Sequence, residues 1–170
     1  YGLDGDDTLL GGDGVDSLMG GDGQDLLIGG LGADVLKGEA GDDILVYDAT
    51  DGTIDGGDGT DTLLWKDEIR SLSGNSAVSN VEVLDLRGNG SQWLRLDADT
   101  LDNMTTTATG ALTIHGDVGD TLVLAGTLVW QTTRNTTLDG VVYRAAEIYS
   151  GVTLKATSVS YTHLTLPTIL

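Results

Sequence analysis

Between Gly11 and Val46 one nine-residue pattern occurs four times in succession: GGDGVDSLM, GGDGQDLLI, GGLGADVLK and GEAGDDILV. A related unit, GLDGDDTLL, precedes it at Gly2–Leu10, and another, GGDGTDTLL, follows at Gly56–Leu64. The nine residues between, Tyr47–Asp55, lose the glycine-rich letters but keep the phase. The apolar eighth position carries that phase: Leu9, Leu18, Leu27, Leu36, Leu45, Ile54 and Leu63 are each nine residues apart. A fixed period of this length constrains the fold before any single element is assigned. Each unit is too short to bury its own apolar residue, so the units must stack as a solenoid in which each covers its neighbours.

Within a unit, paired glycines allow positive-φ turns and close backbone approach, at an entropic cost. The sixth position indicates how that cost is recovered. Asp7, Asp16, Asp25, Asp34, Asp43 and Asp61 each put a carboxylate at the end of a tight turn, where backbone carbonyls also converge. A donor set of carboxylates and carbonyls, with no Cys and no His cluster, fits Ca2+ best. Mg2+ demands a smaller octahedral shell and tends to keep its waters. The last three residues of each unit form a short strand with the middle side chain inward.

These units resemble the hemolysin-type, or RTX, calcium-binding nonapeptides, G-G-x-G-x-D-x-U-x. The resemblance implies an all-β fold, a right-handed parallel β-roll in which two nonapeptides make one 18-residue coil and the turns alternate between two edges. Asp7, Asp25, Asp43 and Asp61 then stack on one edge, and Asp16 and Asp34 on the other. The next rung on the second edge falls at Gly52, which lacks the carboxylate, with Asp48 or Asp51 as substitutes. The motif extends the implied metal ligands to the first-position Gly11, Gly20, Gly29 and Gly56 and the third-position Asp13, Asp22 and Asp58. Counting the gaps between stacked carboxylates gives about three or four Ca2+ ions in the roll, three on the first edge and one on the second.

The charge distribution agrees. The chain has a net charge of -19, and sixteen of its 27 acidic residues lie in residues 1–61, against the single Lys37. Charge concentrated on a tightly turned scaffold repels itself until cations neutralise it. An acidic run can also mark a disordered segment, but here the apolar residues are phased rather than depleted. Disorder is therefore expected of the ion-free chain, because metal binding and folding share one free energy. Without Cys, disulfides are excluded as the stabilising device and the ions take that place. Nucleic acid is excluded as a partner, since phosphate contacts need Lys or Arg clusters. No stretch approaches the length of a membrane span.

Beyond the repeats, Trp65 is expected to cover the open end of the roll, which gives a first unit of residues 1–66. Residues 67–157 then read as a β-rich capping region, sandwich-like in places. SNVEVLDLRGNG (Ser79–Gly90) alternates about a short strand and resembles a segment that commonly follows RTX repeats; Asp85 and Asn89 there suit turn roles. Leu96–Met104 is a candidate short helix with Asp97 as its cap. ALTIHGDVGDTLVLAG, from Ala111, is strand–turn–strand in character and resembles a segment found after RTX blocks in large bacterial adhesins. Its Asp117 and Asp120 form either one further calcium site or an Asp-rich turn that caps its own backbone. LVWQ, GVVYR, AEIY and GVTLKA suggest an antiparallel sheet in which Trp130, Tyr143 and Tyr149 pack.

The ending, VSYTHLTLPTIL (Val159–Leu170), abandons the Asp/Gly style and holds the only proline, Pro167. Residues 158–170 resemble an adapter-derived tail, and the chain, which starts at Tyr1 inside a repeat, reads as a fragment of a larger protein. No H-E-x-x-H, G-x-S-x-G or P-loop pattern is present, and the 18-residue stacking accounts for the aspartates without catalysis. The sequence thus describes a non-catalytic, calcium-dependent structural and secretion-associated module of an extracellular bacterial RTX protein. Two alternatives stand beside it. One is the terminal module of a surface adhesin that binds a glycan or protein partner at the cell surface. The other is an accessory segment of a polysaccharide-acting enzyme or protease.

Overall fold

The computed structural model describes residues 1–48, 50–65, 77–88, 93–96, 98–104, 112–116, 121–124, 128–138, 141–150 and 153–161. Residues 1–65 wind into a right-handed parallel β-solenoid whose successive strands alternate between two sheets. The strands are β1 (Leu3–Asp4), β2 (Thr8–Asp13), β3 (Ser17–Asp22), β4 (Leu26–Leu31), β5 (Val35–Ala40), β6 (Ile44–Tyr47), β7 (Thr53–Asp58) and β8 (Thr62–Trp65). Odd strands form one sheet and even strands the other, every pair parallel and offset by 18 residues.

The eighth-position residues stack into two inward columns. In the even sheet Leu9 pairs with Leu27, Leu27 with Leu45 and Leu45 with Leu63. In the odd sheet Leu18 pairs with Leu36 and Leu36 with Ile54. Leu27, Leu36, Leu45 and Leu63 are completely buried. Because side chains alternate along a strand, the residue two positions on, the first of the next unit, also faces inward. In β3 and β4 the inward pair is Leu18 with Gly20 and Leu27 with Gly29. The two glycines of a pair serve different ends. At the first position the lack of Cβ makes room, whereas the second glycine, Gly21, adopts φ of 115°, in the left-handed region that side chains avoid, as does the fourth-position Gly23 at 138°. Glu39 holds the second position of its unit at φ 79° and is one of three non-glycine residues there among those described.

The two sheets do not stop at residue 66. After Trp65, β9 (Val78–Ser79) adds to the odd sheet, while β10 (Val83–Asp85) and β12 (Thr113–His115) add to the even one, all parallel. The inward columns continue through them as Val78, Leu84 and Ile114, each fully buried. Trp65 is accordingly inside the stack rather than over its end. It is 1 % exposed, and its ring lies 4.7 Å, centroid to centroid, from that of Tyr47 one rung earlier.

β11 (Trp93–Leu96) pairs in parallel with β13 (Thr121–Leu124). The expected short helix is present as α1 (Ala98–Met104), and Leu94, Leu96 and Met104 belong to the same core. β14 (Leu128–Leu138), β15 (Val141–Ser150) and β16 (Thr153–Tyr161) form an antiparallel sheet in which Val159–Tyr161 pair with Arg144–Ala146. The side chains of Trp130, Tyr143 and Tyr149, and residues 162–170, lie outside the described residues.

A fully buried leucine in a column flanked on both sides has no room to relax when truncated. Leu45→Ala is expected to cost about 2–5 kcal/mol, and Leu10→Ala, on the outer face and 70 % exposed, less than about 0.5 kcal/mol. Denaturant unfolding at saturating Ca2+ checks the contrast; equal losses would show that the columns are not the core.

Candidate metal centre

Each turn between sheets ends on the sixth-position aspartate, and the 18-residue coil brings these residues into register. On the first edge the backbone N–H of Asp7 donates to Asp25 Oδ1 at 2.8 Å, that of Asp25 to Asp43 Oδ1 at 2.8 Å, and that of Asp43 to Asp61 Oδ1 at 2.9 Å. On the second edge Asp16 N–H donates to Asp34 Oδ1 at 2.8 Å. The edge grouping of these six residues therefore matches the coil. Each carboxylate reaches back one rung and closes the turn before its own. Two fifth-position aspartates do the converse, Asp6 accepting from Gln24 N–H and Asp42 from Thr60 N–H.

The second carboxylate oxygen is different. Oδ2 of Asp16, Asp25, Asp34, Asp43 and Asp61 is buried without a hydrogen-bond partner. These oxygens face the α-carbons of the first-position glycines. A Cβ on Gly20 would run into Asp25 Oδ2 and the Gly38 carbonyl oxygen together. The same pairing recurs at Gly11 with Asp16 Oδ2 and Gly29 O, and at Gly38 with Asp43 Oδ2 and Gly56 O. At Gly29 the nearest atoms all belong to Asp34, Oδ2 first, and Gly2 shows the pattern with Asp7 Oδ2 and Gly20 O. At Gly2, Gly11, Gly20 and Gly38 the gap between rungs thus brings a carboxylate oxygen beside a backbone carbonyl, and in Asp16, Asp25 and Asp43 that carboxylate oxygen has no donor. Leaving an ionised carboxylate in such a place costs on the order of several kcal/mol. A hard cation with oxygen ligands resolves it, and the donor set fits Ca2+.

No three His, Cys, Asp or Glu side chains converge on one point among the described residues. Stacking explains this. Successive carboxylates are separated by the spacing of parallel strands, about 4.8 Å, so a gap receives at most two and the remaining ligands must be backbone carbonyls. Third-position Asp13, Asp22 and Asp58 are exposed at the strand ends. Asp117 and Asp120 lie outside the described residues.

The second edge changes character at the third rung. Gly11 and Gly29 are followed 18 residues on by Tyr47 and then Trp65. Position 52 is glycine, and a Cβ there would meet only the backbone oxygens of Asp34 and Ala33, at 3.3 and 3.8 Å. Asp51 stands beside it. Its Oδ2 accepts from Asp48 N–H at 2.8 Å, and its Oδ1 is buried and unpartnered. Burial, with Asp48 and Asp34 nearby, pushes its pKa up to about 6.

Sequence reasoning missed Glu82. Asp61 N–H donates to Glu82 Oε2 at 2.9 Å, the place Oδ1 of the next aspartate takes in earlier rungs. The signals for Glu82 were the alternation around Val81 and Val83 and its place in the NVEVLDL segment that resembles the one following RTX repeats; the spacing of 21 breaks the period. Asp85 and Arg87 pair at 2.6 Å, and Asp85 Oδ1 also accepts Arg87 N–H, a turn role.

Burial, reinforced by the charges of Asp43, Glu82 and Asp42, raises the Asp61 pKa to about 7, and burial raises that of Asp43. Both lie above the ordinary 3.8, so the folded state holds these protons more tightly than the unfolded chain. Their contribution to the stability of the roll without divalent cations is complete below the unfolded value and disappears as pH rises through about 7. In chelator, β-structure is therefore expected to be stronger at about pH 5 than at about pH 8, and Ca2+ to erase the difference. Circular dichroism at the two pH values checks this; a calcium-free roll that is more ordered at the higher pH would contradict it.

The family model of the RTX calcium-binding nonapeptide repeat matches residues 1–27 and 19–54, in four copies. No curated protein sequence gives a significant match. RTX repeats are structural rather than catalytic. With two alternating edges of aspartate and glycine in 18-residue register, residues 1–54 are repeats of the RTX hemolysin-type calcium-binding family.

Proposed function

We propose that this chain is a calcium-dependent structural module of a secreted or cell-surface bacterial protein, folded by the ions it binds and carrying no catalysis of its own. One observation supports the reading above the others: five aspartate Oδ2 atoms are buried and unpartnered at the same place in successive turns. Asp7, Asp25, Asp43 and Asp61 serve the first edge and Asp16 and Asp34 the second, with first-position glycine carbonyls as co-ligands, for about three or four ions in the gaps between them. Bound Ca2+ would supply the positive charge that the stacked carboxylates lack. The chain's own residues do the rest: the Oδ1 atoms close the turns, the glycines admit the second oxygens, and the leucine columns hold the rungs together.

An extracellular setting suits this arrangement. A site assembled only when the chain folds binds weakly, and calcium affinities of about 10⁻⁴–10⁻³ M are typical of extracellular modules. In a calcium-poor compartment the acidic segment stays open, and it folds where calcium is abundant. Among the described residues no helix is long and apolar enough to cross a membrane.

Titration with Ca2+ followed by circular dichroism is expected to convert residues 1–64 from disorder to β-structure; an unchanged spectrum, or equal ordering by Mg2+, overturns the proposal. Substitution sharpens it. Asp25 has same-edge neighbours 18 residues away on both sides, Asp7 and Asp43, and its Oδ1 also closes the Asp7 turn. Asp16 has Asp34 alone. Asp25→Ala should raise the calcium midpoint for folding more than Asp16→Ala, since folding free energy follows the number of ions held. Equal shifts would mean that the aspartates act only as local turn formers.

A further inference from the structure

We propose that the roll ends in an additional Ca2+ site outside the nonapeptides, formed between the last repeat turn and the segment Asn80–Glu82, with the Glu82 carboxylate in the part that aspartate plays elsewhere. This rests on the calcium reading of the repeats and extends it to residues that do not conform to the motif. The first observation is geometric. The ladder of N–H groups donating to the following carboxylate does not stop at Asp61, whose own N–H donates to Glu82 Oε2 at 2.9 Å. Main-chain pairing is kept as well, since Val83 N–H donates to Asp61 O at 2.9 Å, as Thr62 N–H does to Asp43 O at 2.8 Å.

The second observation is independent and points to a ligand. Asp61 is completely buried, and its Oδ2 has no hydrogen-bond partner. That atom lies against the α-carbon of Gly56, where a Cβ would also strike the carbonyl oxygen of Asn80. Asn80 O thus occupies the place that Gly38 O takes beside Asp25 and Gly56 O beside Asp43. Asn80 is fixed there from several directions. Its φ of 51° is in the left-handed region, its Nδ2 donates to Asp55 Oδ1 at 2.7 Å, and its N–H donates to Asn103 O at the end of α1.

The sequence spacing shows why a glutamate suits this position better than an aspartate. In register, Asn80 follows Ser79, the partner of Asp55, and so corresponds to Gly56, while Val83 pairs with Thr62. Five residues connect Gly56 to Thr62, but only Val81 and Glu82 connect Asn80 to Val83. The turn is three residues shorter and does not reach as far over the rung below. The additional methylene of glutamate spans the difference and delivers a carboxylate oxygen to the Asp61 N–H. The gap then holds the Asp61 and Glu82 carboxylates and the Asn80 carbonyl, an oxygen-only set for a hard divalent cation. Two buried acids facing one another with no cation between them would repel.

The alternative is that Glu82 only caps the Asp61 amide. Glu82→Gln separates the two, because the amide oxygen still accepts that hydrogen bond while the charge is gone. In the full chain, ions bound per molecule are counted by equilibrium dialysis with Ca2+, and folding is followed by circular dichroism. Wild type, Glu82→Gln and Glu82→Asp are compared. The expected result is one ion fewer for Glu82→Gln and a calcium midpoint raised about threefold or more, with Glu82→Asp intermediate. The same count and midpoint for Glu82→Gln would overturn the proposal and leave the repeat sites intact. No Ca2+ bound by wild type would overturn the function proposed above and this inference with it. If Glu82→Gln does not fold at saturating Ca2+ but Glu82→Asp does, the charge is required and the proposal holds. Failure of both makes Glu82 a hydrogen-bond cap of fixed length and overturns it.

Discussion

A carboxylate whose two oxygens live in different worlds underlies this structure. In each turn Oδ1 is bonded to the amide of the rung before, while Oδ2 is sealed from water with no donor in reach. The first oxygen sets the turn, and the second makes the turn unfavourable by itself. Hydrophobic columns of one leucine per nonapeptide offset only part of that cost, since full burial of one leucine contributes about 1.5–3 kcal/mol. Charge compensation is therefore part of the fold rather than an addition to it, and the acidic repeats couple folding to the ionic composition of their surroundings.

Much of this was legible in the sequence because period and register are the same thing in a solenoid. The apolar eighth positions gave both columns, and the sixth positions gave the two edges, since an 18-residue coil leaves no freedom in which aspartate lies above which. Gly52 breaks the second column of aspartates in the sequence itself; that the stacked rings of Tyr47 and Trp65 continue the glycine column there was not legible. Asp51 was named as a substitute; its Oδ2 accepts from the Asp48 amide in its own loop, and the Asp34 backbone of the rung before also stabilises its ionised form.

The continuation past Trp65 was hidden for a different physical reason. Pairing in a sheet constrains register between strands but not the length of chain between them. Val78 stacks on Ile54 across 24 residues and Leu84 on Leu63 across 21, so the columns persist while the period is lost. A pattern search tuned to nine residues ends where the loops begin to vary. Trp65, read as a lid, is consequently an interior residue stacked beside Tyr47.

The backward reach of the carboxylates gives the roll a direction. Asp25 completes the turn that ends at Asp7, Asp43 completes that of Asp25, and Glu82 that of Asp61. A rung is thus unfinished until its successor arrives, much as a German clause waits for its final verb. Loss of a rung at the amino-terminal side leaves the sixth-position closures intact and frees amides such as Gln24 N–H from Asp6, whereas loss at the carboxy-terminal side reopens the sixth-position turn before it. Order in such an array spreads most readily from the carboxy-terminal end, and whatever holds Asn80–Glu82 in place controls the whole stack from there.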